Sequence, residues 1–294
     1  MTMGQQTDHL SRSAPGYRAI RFNMDWILRP VFGLFLAIVA ISTLVWGAQY
    51  FAGLVVLVAA FAAREWHRLV RAPELRDGPI HVQTIVTVGA VALAVVVLLE
   101  RWVPAAFAVL AAGAAAAFVL AQRRNDNPFW HAGGVLYIGL PALALVALRA
   151  FLPQGVQTIV GLFLIIWATD TGALVFGNLI GGPRLAPRLS PGKTWAGTIG
   201  GSLTAAAVFG LYIAFFGFHV LLAMLFAFVF SFAAHAGDLF ESLVKRRFGY
   251  KDSGSMIPGH GGVLDRVDST FAASVALAVL VFVLHLNPLF GGHS

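Results

Sequence analysis

Residues 218–236 read FHVLLAMLFAFVFSFAAHA and contain no Asp, Glu, Lys or Arg. A helix that crosses a membrane needs about 20 predominantly apolar residues, with roughly 17 to 25 acceptable. Apolar runs of this kind recur along the chain, at residues 31–46, 48–63, 81–99, 103–121, 133–149, 156–179, 197–215 and 270–287. The sequence therefore predicts an all-α fold, a polytopic integral membrane helical bundle of about nine transmembrane helices. Adjoining runs are divided near 47–50 and 217–219.

The composition of the 294 residues excludes a soluble domain. Hydrophobic residues make up 59% of the chain, charged residues only 11%, and the mean hydropathy is +0.80. Soluble domains carry about 25% charged residues, so these few charges could not cover a water-facing surface of this size. There are no cysteines, which excludes disulfides and thiolate metal sites. The net charge of +7 is too thinly spread to indicate nucleic acid; it fits membrane topology and anionic lipid.

The lysines and arginines divide unevenly between the two sides of the predicted membrane. With loops assigned to alternate sides, 18 of the 20 Lys and Arg fall on the N-terminal side, and only Arg101 and Arg149 on the other. The positive-inside rule places the rich side in the cytoplasm. We therefore expect a multi-pass protein of the cell inner (plasma) membrane with a cytoplasmic N-terminus. Residues 1–26 would form a polar, basic and poorly ordered tail, and residues 27–294 a single transmembrane catalytic domain whose active site, in 165–270, faces the cytoplasm.

Four polar residues follow the run at 218–236 with helical spacing. Asp238, Glu241, Ser242 and Lys245 fall at i, i+3, i+4 and i+7, which places all four on one face of a helix. The acidic pair could hold a cation, and the lysine at the helix end could meet an anion. The alternative interpretation is a solvated helix end with an ordinary Glu–Lys pair.

A basic and glycine-rich stretch comes next. Residues 245–252 read KRRFGYKD, a concentrated anion-binding segment, and residues 258–262 read PGHGG. Glycines let backbone N–H groups approach an anionic ligand closely. This stretch is therefore a candidate phosphate-binding loop.

Charged residues also stand at the entrance to helix nine. These are Asp265, Arg266 and Asp268, with Asp268 or Ser269 as the expected N-cap. Carboxylates from two helices, together with lysines, arginines and a glycine loop, indicate metal-assisted phosphoryl or nucleotidyl transfer. Oxygen ligands of this kind suit Mg²⁺, and two ions could hold both the attacking and the leaving oxygens.

Two acidic residues stand beside or within other predicted helices. Glu65, next to Trp66, fits an anchor at the membrane interface, where Trp is common. Asp170 lies inside helix six, in the sequence WATDTG at 167–172. A carboxylate at that depth costs roughly 2.5–3.5 kcal/mol on insertion scales, so it should face a polar cavity or a partner. Asp170 is therefore a candidate site residue; the alternative is an interhelical hydrogen-bond or ion-pair partner.

The loop between helices six and seven is basic. Residues 190–195 read SPGKTW and follow Arg184 and Arg188. Gly-Lys-Thr resembles the end of a P-loop, but Pro187 occupies the position of its first glycine and no strand is expected before it. A basic loop that contacts phosphate through Lys193 is the better account. A loop that only sets topology is the alternative.

Residues 242–268 resemble the signature of the phosphatidate cytidylyltransferase family, also called CDP-diacylglycerol synthases. More than a dozen specified positions match at fixed spacing. The matches are Ser242 to Arg246, Lys251-Asp252, Gly254, Ile257-Pro258, His260 to Val263 and Asp265 to Asp268. Gly237 to Glu241, Asp170 to Ala173 and Ser190 to Trp195 are also similar to the family. Departures at Thr169, Leu174, Gly192 and Ala196 leave the acceptor lipid open.

The resemblance implies a CTP:phosphatidate cytidylyltransferase, a transferase of phospholipid biosynthesis that uses Mg²⁺, with room for a second cation, to move CMP from CTP to phosphatidate. Its partners would be CTP, phosphatidate and the lipid bilayer, without nucleic acid, and the family suggests a homodimer. We expect catalytic roles for Asp170, Asp238, Lys245, Arg246 and Asp265. Contacts with substrate phosphate are expected from Arg188, Lys193, Ser242, Lys251, His260, Gly261, Gly262 and Arg266. The expected metal ligands are Asp238, Asp265 and Asp268. The alternatives are a cytidylyltransferase for another lipid phosphate, such as an isoprenoid one, and a transporter or lipid-binding protein of the same fold.

Overall fold

The computed structural model describes residues 33, 35–72, 75, 82–254 and 261–286. The chain divides into two units, Met1–Val39 and Ala40–Ser294, and the described residues of the first are helical. The expected tail, residues 1–26, lies outside the described residues. Within them the helices are α1 Phe35–Trp46, α2 Ala48–Leu69, α3 Val82–Leu99, α4 Val103–Arg123, α5 Pro128–Phe151, α6 Gly155–Leu179, α7 Trp195–Ala214, α8 Val220–Arg247 and α9 Leu264–Ala278, which continues as a π-helical turn, Val279–Val283.

Most of these helices can cross a membrane. In the part of the chain that the structure describes, the eight helices α2 to α9 are long and apolar enough, and α1 is a shorter apolar helix. Large apolar side chains face outward, such as Phe215 at 82% exposed, as expected where lipid is the solvent. The predicted divisions are confirmed at Gly47 and at 215–219, where Gly217 has φ 73°. The prediction of an all-α, multi-pass membrane protein is confirmed.

The stretch between α6 and α7 forms an antiparallel hairpin, which the sequence did not predict. Strand β1, Arg184–Ala186, pairs with strand β2, Ser190–Thr194. A strand therefore does precede Pro187, but the chain turns back along it instead of entering a helix, so the P-loop stays excluded. Thr194 ends the hairpin and caps α7, because its Oγ1 accepts a hydrogen bond from the Gly197 N–H at 3.0 Å.

Helix α9 begins earlier than its apolar run. It starts at Leu264 and not at residue 270, so Asp265 and Asp268 lie within the helix. The expected N-cap at Asp268 or Ser269 is therefore wrong. Asp268 is buried, and its Oδ1 accepts a hydrogen bond from the Ser269 N–H at 2.7 Å. Charged side chains in the first turns hide this start from any search for apolar residues.

Glycines let two helix pairs cross closely beside acidic residues. A Cβ on Gly201 of α7 would lie 2.5 Å from a carbonyl oxygen of α6, and one on Gly237 of α8 would lie 2.5 Å from the Asp268 carbonyl oxygen of α9. Small residues at such crossings are typical of helix packing in membranes. The first crossing adjoins Asp170 and the second adjoins Asp238, and these two carboxylates interact electrostatically.

A buried chain of polar side chains joins α2, α3 and α5. His67 Nδ1 lies 2.7 Å from His131 Nδ1, and His67 Nε2 lies 2.7 Å from Thr87 Oγ1. His131 Nε2 is in turn 3.0 Å from Asp126 Oδ2. Interhelical hydrogen bonds of this kind stabilise helix association in a membrane. They fix the end of α2, which carries Glu65.

Candidate active site

Lys245 of α8 joins carboxylates from two helices. Its Nζ donates to Asp265 Oδ1 of α9 at 2.6 Å and to Glu241 Oε2, one turn earlier in α8, at 3.1 Å. The Glu241 side chain is 1% exposed and that of Asp265 is 13% exposed. The contact is therefore not the solvated Glu–Lys pair of the alternative interpretation. Removing Lys245 would leave two carboxylates without their shared cation in a largely buried place.

Asp265 is also held by backbone donors. Its Oδ2 accepts hydrogen bonds from the Gly262 N–H at 2.9 Å and from the Ser253 N–H at 3.0 Å. Gly261 has φ +79°, and a Cβ there would lie 3.0 Å from Asp265 Oδ2, so glycine is the residue that fits this turn. The Gly262 N–H, which the sequence assigned to a substrate phosphate, is thus donated to Asp265 in this structure.

The hairpin carries Lys193 to the side of α8. Lys193 Nζ forms an ion pair with Asp238 Oδ2, and Ser242 Oγ lies 3.4 Å from Asp238 Oδ1. The Lys193 and Asp238 side chains are 21% and 32% exposed, so both remain accessible from outside the protein. Asp238 and Asp265, which the sequence predicted to share a cation, are each paired with a different lysine.

Asp170 of α6 belongs to the same cluster of charged side chains, and the region that this cluster surrounds is hereafter called the groove. Asp170 interacts electrostatically with Asp268 and Asp238, and with the cationic Lys193 and Arg266. Its side chain is exposed and not sealed between helices. This position favours a site residue over the interhelical partner of the alternative interpretation.

The groove has more carboxylates than cations. Among the described residues, the charged side chains with the main interactions around Asp170 and Glu241 are the carboxylates Asp170, Asp238, Glu241, Asp265 and Asp268 and the cations Lys193, Lys245 and Arg266. Glu241 Oε1 is buried and receives no hydrogen bond from an N–H or hydroxyl group of the described residues, and the Glu241 carboxyl group lies within hydrogen-bond reach of the Asp268 carboxyl group. Two carboxyl groups this close either share a proton or hold a cation between them. The other carboxylates nearby also suit a bound cation.

Magnesium fits this donor set by its chemistry. Mg²⁺ prefers oxygen ligands and binds through one or two carboxylates together with waters and substrate phosphates, not in an all-protein cage. Among the described residues, no group of three His, Asp or Glu side chains is arranged to hold a metal ion by itself. The metal ligands Asp238, Asp265 and Asp268 stay a prediction.

Glu65 of α2 is a site residue that the sequence did not reveal. Its Oε1 accepts a hydrogen bond from the Val263 N–H at 3.0 Å, and its Oε2 accepts from the Leu264 N–H at 2.8 Å and from Ser253 Oγ at 3.1 Å. One carboxylate therefore holds the chain on both sides of residues 255–260 and satisfies N–H groups at the start of α9. Glu65 is only 4% exposed, so its expected place as an interfacial anchor is wrong.

Three further predicted phosphate-binding residues are exposed, and so is Arg246, which the sequence predicted to be catalytic. Arg188, on the turn between the strands, is exposed, as are Lys251 and Arg266. Arg246 is exposed too, and its Nε donates to a hairpin carbonyl oxygen at 3.3 Å. His260 lies outside the described residues. Their contacts with substrate phosphate stay predictions.

Comparison with known proteins gives a family match over most of the chain. The model of the Cytidylyltransferase family matches residues 27–284. A phosphatidate cytidylyltransferase of Brucella suis biovar 1 is 45% identical over 188 residues, which cover 62% of this chain and 67% of that protein. One from Staphylococcus haemolyticus is 40% identical over 149 residues, covering 50% of this chain and 56% of that protein.

Proposed function

The chain belongs to the cytidylyltransferase family, and we propose that it is a CTP:phosphatidate cytidylyltransferase, which transfers CMP from CTP to phosphatidate in phospholipid biosynthesis. The observation that carries this proposal is the groove in which carboxylates of α6, α8 and α9 meet Lys193 and Lys245. Its partly exposed cations can receive the phosphates of a nucleotide, and the apolar helices around it suit a lipid acceptor.

The reaction joins two phosphates. A phosphate oxygen of phosphatidate attacks the α-phosphorus of CTP and forms a P–O bond. The bond from that phosphorus to the oxygen bridging the β-phosphate breaks, and pyrophosphate leaves with the bonding electrons. A phosphate monoester carries a charge of about −1.5 to −2 at neutral pH, so no general base is required. Catalysis of this kind depends on positioning and on electrostatic stabilisation.

The lysines are the groups of this chain best placed to provide that stabilisation. Lys193 is 21% exposed and projects from a hairpin that the Thr194 cap fixes to α7. It can turn from Asp238 toward an entering phosphate without movement of the backbone. Lys245 is less exposed and is held between Glu241 and Asp265, so it would keep a fixed charge at the base of the groove.

Mg²⁺ is part of this proposal. One or two of the predicted ligands Asp238, Asp265 and Asp268 would hold it, with waters and substrate phosphates as its other ligands. When bound, it would neutralise charge on the phosphoryl oxygens. The excess of carboxylates in the groove supports its presence, since CTP and phosphatidate would only add negative charge.

We further propose that the groove faces the cytoplasm from the plasma membrane. The hairpin and the end of α8 carry many of the lysines and arginines. Arg101 lies in the turn between α3 and α4, and Arg149 lies in the last turn of α5. The Arg101 guanidinium is 4.4 Å from the Phe151 ring centroid, and Arg149 Nε donates to the Leu44 carbonyl oxygen at 2.9 Å. The positive-inside rule supports a cytoplasmic groove.

A turnover assay with labelled CTP, purified protein in detergent and a panel of lipid phosphates tests the function. We expect labelled CDP-diacylglycerol from phosphatidate, no product from isoprenoid phosphates, and loss of turnover on chelation that Mg²⁺ restores. Asp265→Asn should lower kcat about 10²–10³-fold, as removal of a preorganised electrostatic group does. Glu100→Gln, an exposed change outside the groove, is the control.

Each failure has a separate meaning. Turnover of an isoprenoid phosphate in place of phosphatidate would show that the acceptor is an isoprenoid phosphate. Wild-type turnover in Asp265→Asn would remove Asp265 from the chemistry. Absence of pyrophosphate release that depends on both CTP and a lipid phosphate would overturn the enzyme proposal, and it would favour the transporter or lipid-binding alternative.

A further inference from the structure

An aromatic pocket lies beside the groove and has no part in the chemistry described above. Its volume is about 280 Å³, and its lining comes from α2, α5 and α8. The lining residues are Trp66, Phe129, Trp130, Gly133, Tyr137 and Phe240. The surface of this pocket is therefore almost entirely apolar, which suits a hydrocarbon ligand.

The inner wall of the pocket adjoins the acidic groove. The Tyr137 ring lies 4.7 Å from the Trp66 ring and 5.2 Å from the Phe240 ring, measured between centroids. On its other side, the Tyr137 hydroxyl interacts electrostatically with Asp268 and Glu241. One side chain therefore separates a hydrocarbon environment from the carboxylates of the proposed site.

The outer rim of the pocket combines an exposed aromatic ring with a cation. Phe129 is 79% exposed, so the pocket reaches the surface that lipid would cover. The Arg247 guanidinium lies 5.5 Å from the Trp130 ring centroid, and the Phe248 and Trp130 ring centroids are 5.2 Å apart. An apolar pocket with a cation at its rim is complementary to an anionic lipid.

We propose that this pocket binds the first part of one acyl chain of the lipid phosphate substrate, an inference that rests on the proposed function. At about 30 Å³ for each water-sized group, its volume accommodates about nine methylene groups, which is part of a chain and not a whole lipid. Because bilayer lipid is as apolar as the pocket, burial there adds little hydrophobic free energy. The pocket therefore positions the chain, and through it the phosphate, in the groove.

Gly133 provides a direct test of the pocket. A Cβ at this position would meet nothing within 4 Å, so Gly133→Leu fills the pocket without a clash at its Cβ. Gly53→Leu is the matched control, because Gly53 is exposed on α2, lies outside the pocket lining and also has open space at its Cβ. Both changes replace a helical glycine with leucine and raise helix propensity equally.

We expect Gly133→Leu to lower kcat/KM for long-chain phosphatidate by up to about 10²-fold, the loss that a misplacement of about 1 Å can cause. The KM for CTP should stay at the wild-type value. With phosphatidate that carries butanoyl chains, which are too short to fill the pocket, Gly133→Leu should lower kcat/KM much less. Quenching of tryptophan fluorescence by phosphatidate brominated near the ester should also decrease, since Trp66 and Trp130 line the pocket. Gly53→Leu should match wild type in every measurement.

Three outcomes would overturn the proposal. The first is wild-type kinetics and quenching in Gly133→Leu. The second is an equal loss of kcat/KM in Gly133→Leu for phosphatidate with long and with short acyl chains. The third is a changed oligomeric state in light scattering, which would make the pocket an interface between copies of this chain. Failure of the wild type to use phosphatidate at all would instead refute the proposed function, while the quenching measurement would still report on the pocket.

Discussion

Replacing Glu65 with glutamine would test whether the α2 carboxylate holds the start of α9, and with it Asp265, in place. Glu65→Gln keeps the size of the side chain but replaces one accepting oxygen with an NH₂ group, which donates. In the structure, Oε1 accepts from the Val263 N–H, and Oε2 accepts from the Leu264 N–H and from Ser253 Oγ. The single glutamine oxygen can occupy only one of these positions, so at least one donor loses its acceptor.

The expected magnitude follows from the burial of this carboxylate, which is 4% exposed. A buried donor left without an acceptor costs about 1–3 kcal/mol, and about 1.4 kcal/mol corresponds to a tenfold change in rate. Because Glu65 holds the residues directly before Asp265, the lost hydrogen bond should displace Asp265 and raise the activation free energy by this amount. The value of kcat/KM for CTP should then fall about 5- to 150-fold. The assay is steady-state CMP transfer from labelled CTP at saturating phosphatidate, well below the melting temperature.

Two comparisons make the result decisive. Glu100→Gln makes the same chemical change at an exposed position and should leave kcat/KM unchanged. Ser253→Ala removes one donor to Glu65, so the double variant should lose less activity than the two single effects combined, because the partners share a hydrogen bond. Wild-type kcat/KM in Glu65→Gln, or full additivity with Ser253→Ala, would refute the reasoning.

Two further variants test the packing and the charge of the groove. In Gly237→Leu, the new Cβ would lie 2.5 Å from the Asp268 carbonyl oxygen, so α8 and α9 should separate at a cost of about 1–3 kcal/mol or more. Thermal unfolding in detergent should show a lower Tm for Gly237→Leu and the wild-type Tm for the control Gly53→Leu. An unchanged Tm in Gly237→Leu would contradict the close crossing of the two helices. Lys193→Gln removes a partly exposed ion pair with Asp238 that contributes at most about 1 kcal/mol to stability. Its Tm should change little while kcat falls about 10²-fold, and a wild-type kcat would exclude Lys193 from charge stabilisation.

The helices and one face of the site were predictable because both depend on local spacing. In a chain this poor in charge, an apolar run long enough to span a bilayer indicates a transmembrane helix directly. In α8, residues three and four apart share a face, and the structure does pair Lys245 with Glu241 and place Ser242 beside Asp238. The approach of α9 was predicted because its carboxylates stand at the entrance to the helix, close in sequence to the acidic end of α8 and the basic, glycine-rich stretch between them.

Other features depend on contacts that no local pattern contains. Glu65 and Ser253 are 188 positions apart, and helical periodicity carries no information about a partner at that distance. The start of α9 was placed too late because its first turns are charged, and those charges are satisfied by Lys245 and by backbone donors instead of by water. The β1–β2 hairpin contains prolines and charges that are uncommon in strands, so its residues indicated a loop.

The position of Tyr137 accounts for how one chain could serve a substrate dissolved in water and another dissolved in lipid. Its ring packs against Trp66 and Phe240 on the apolar side, while its hydroxyl interacts with Asp268 and Glu241 on the other. A lipid phosphate must keep its chains away from charges and its phosphate away from hydrocarbon, since either error costs desolvation free energy. If more than one side chain separated the pocket from the groove, the phosphate could not reach the groove while its acyl chain lay in the pocket. If no side chain separated them, water from the groove would reach the acyl chain. A separation of one side chain therefore matches an acceptor whose phosphate and first acyl carbons are joined through a short glycerol unit.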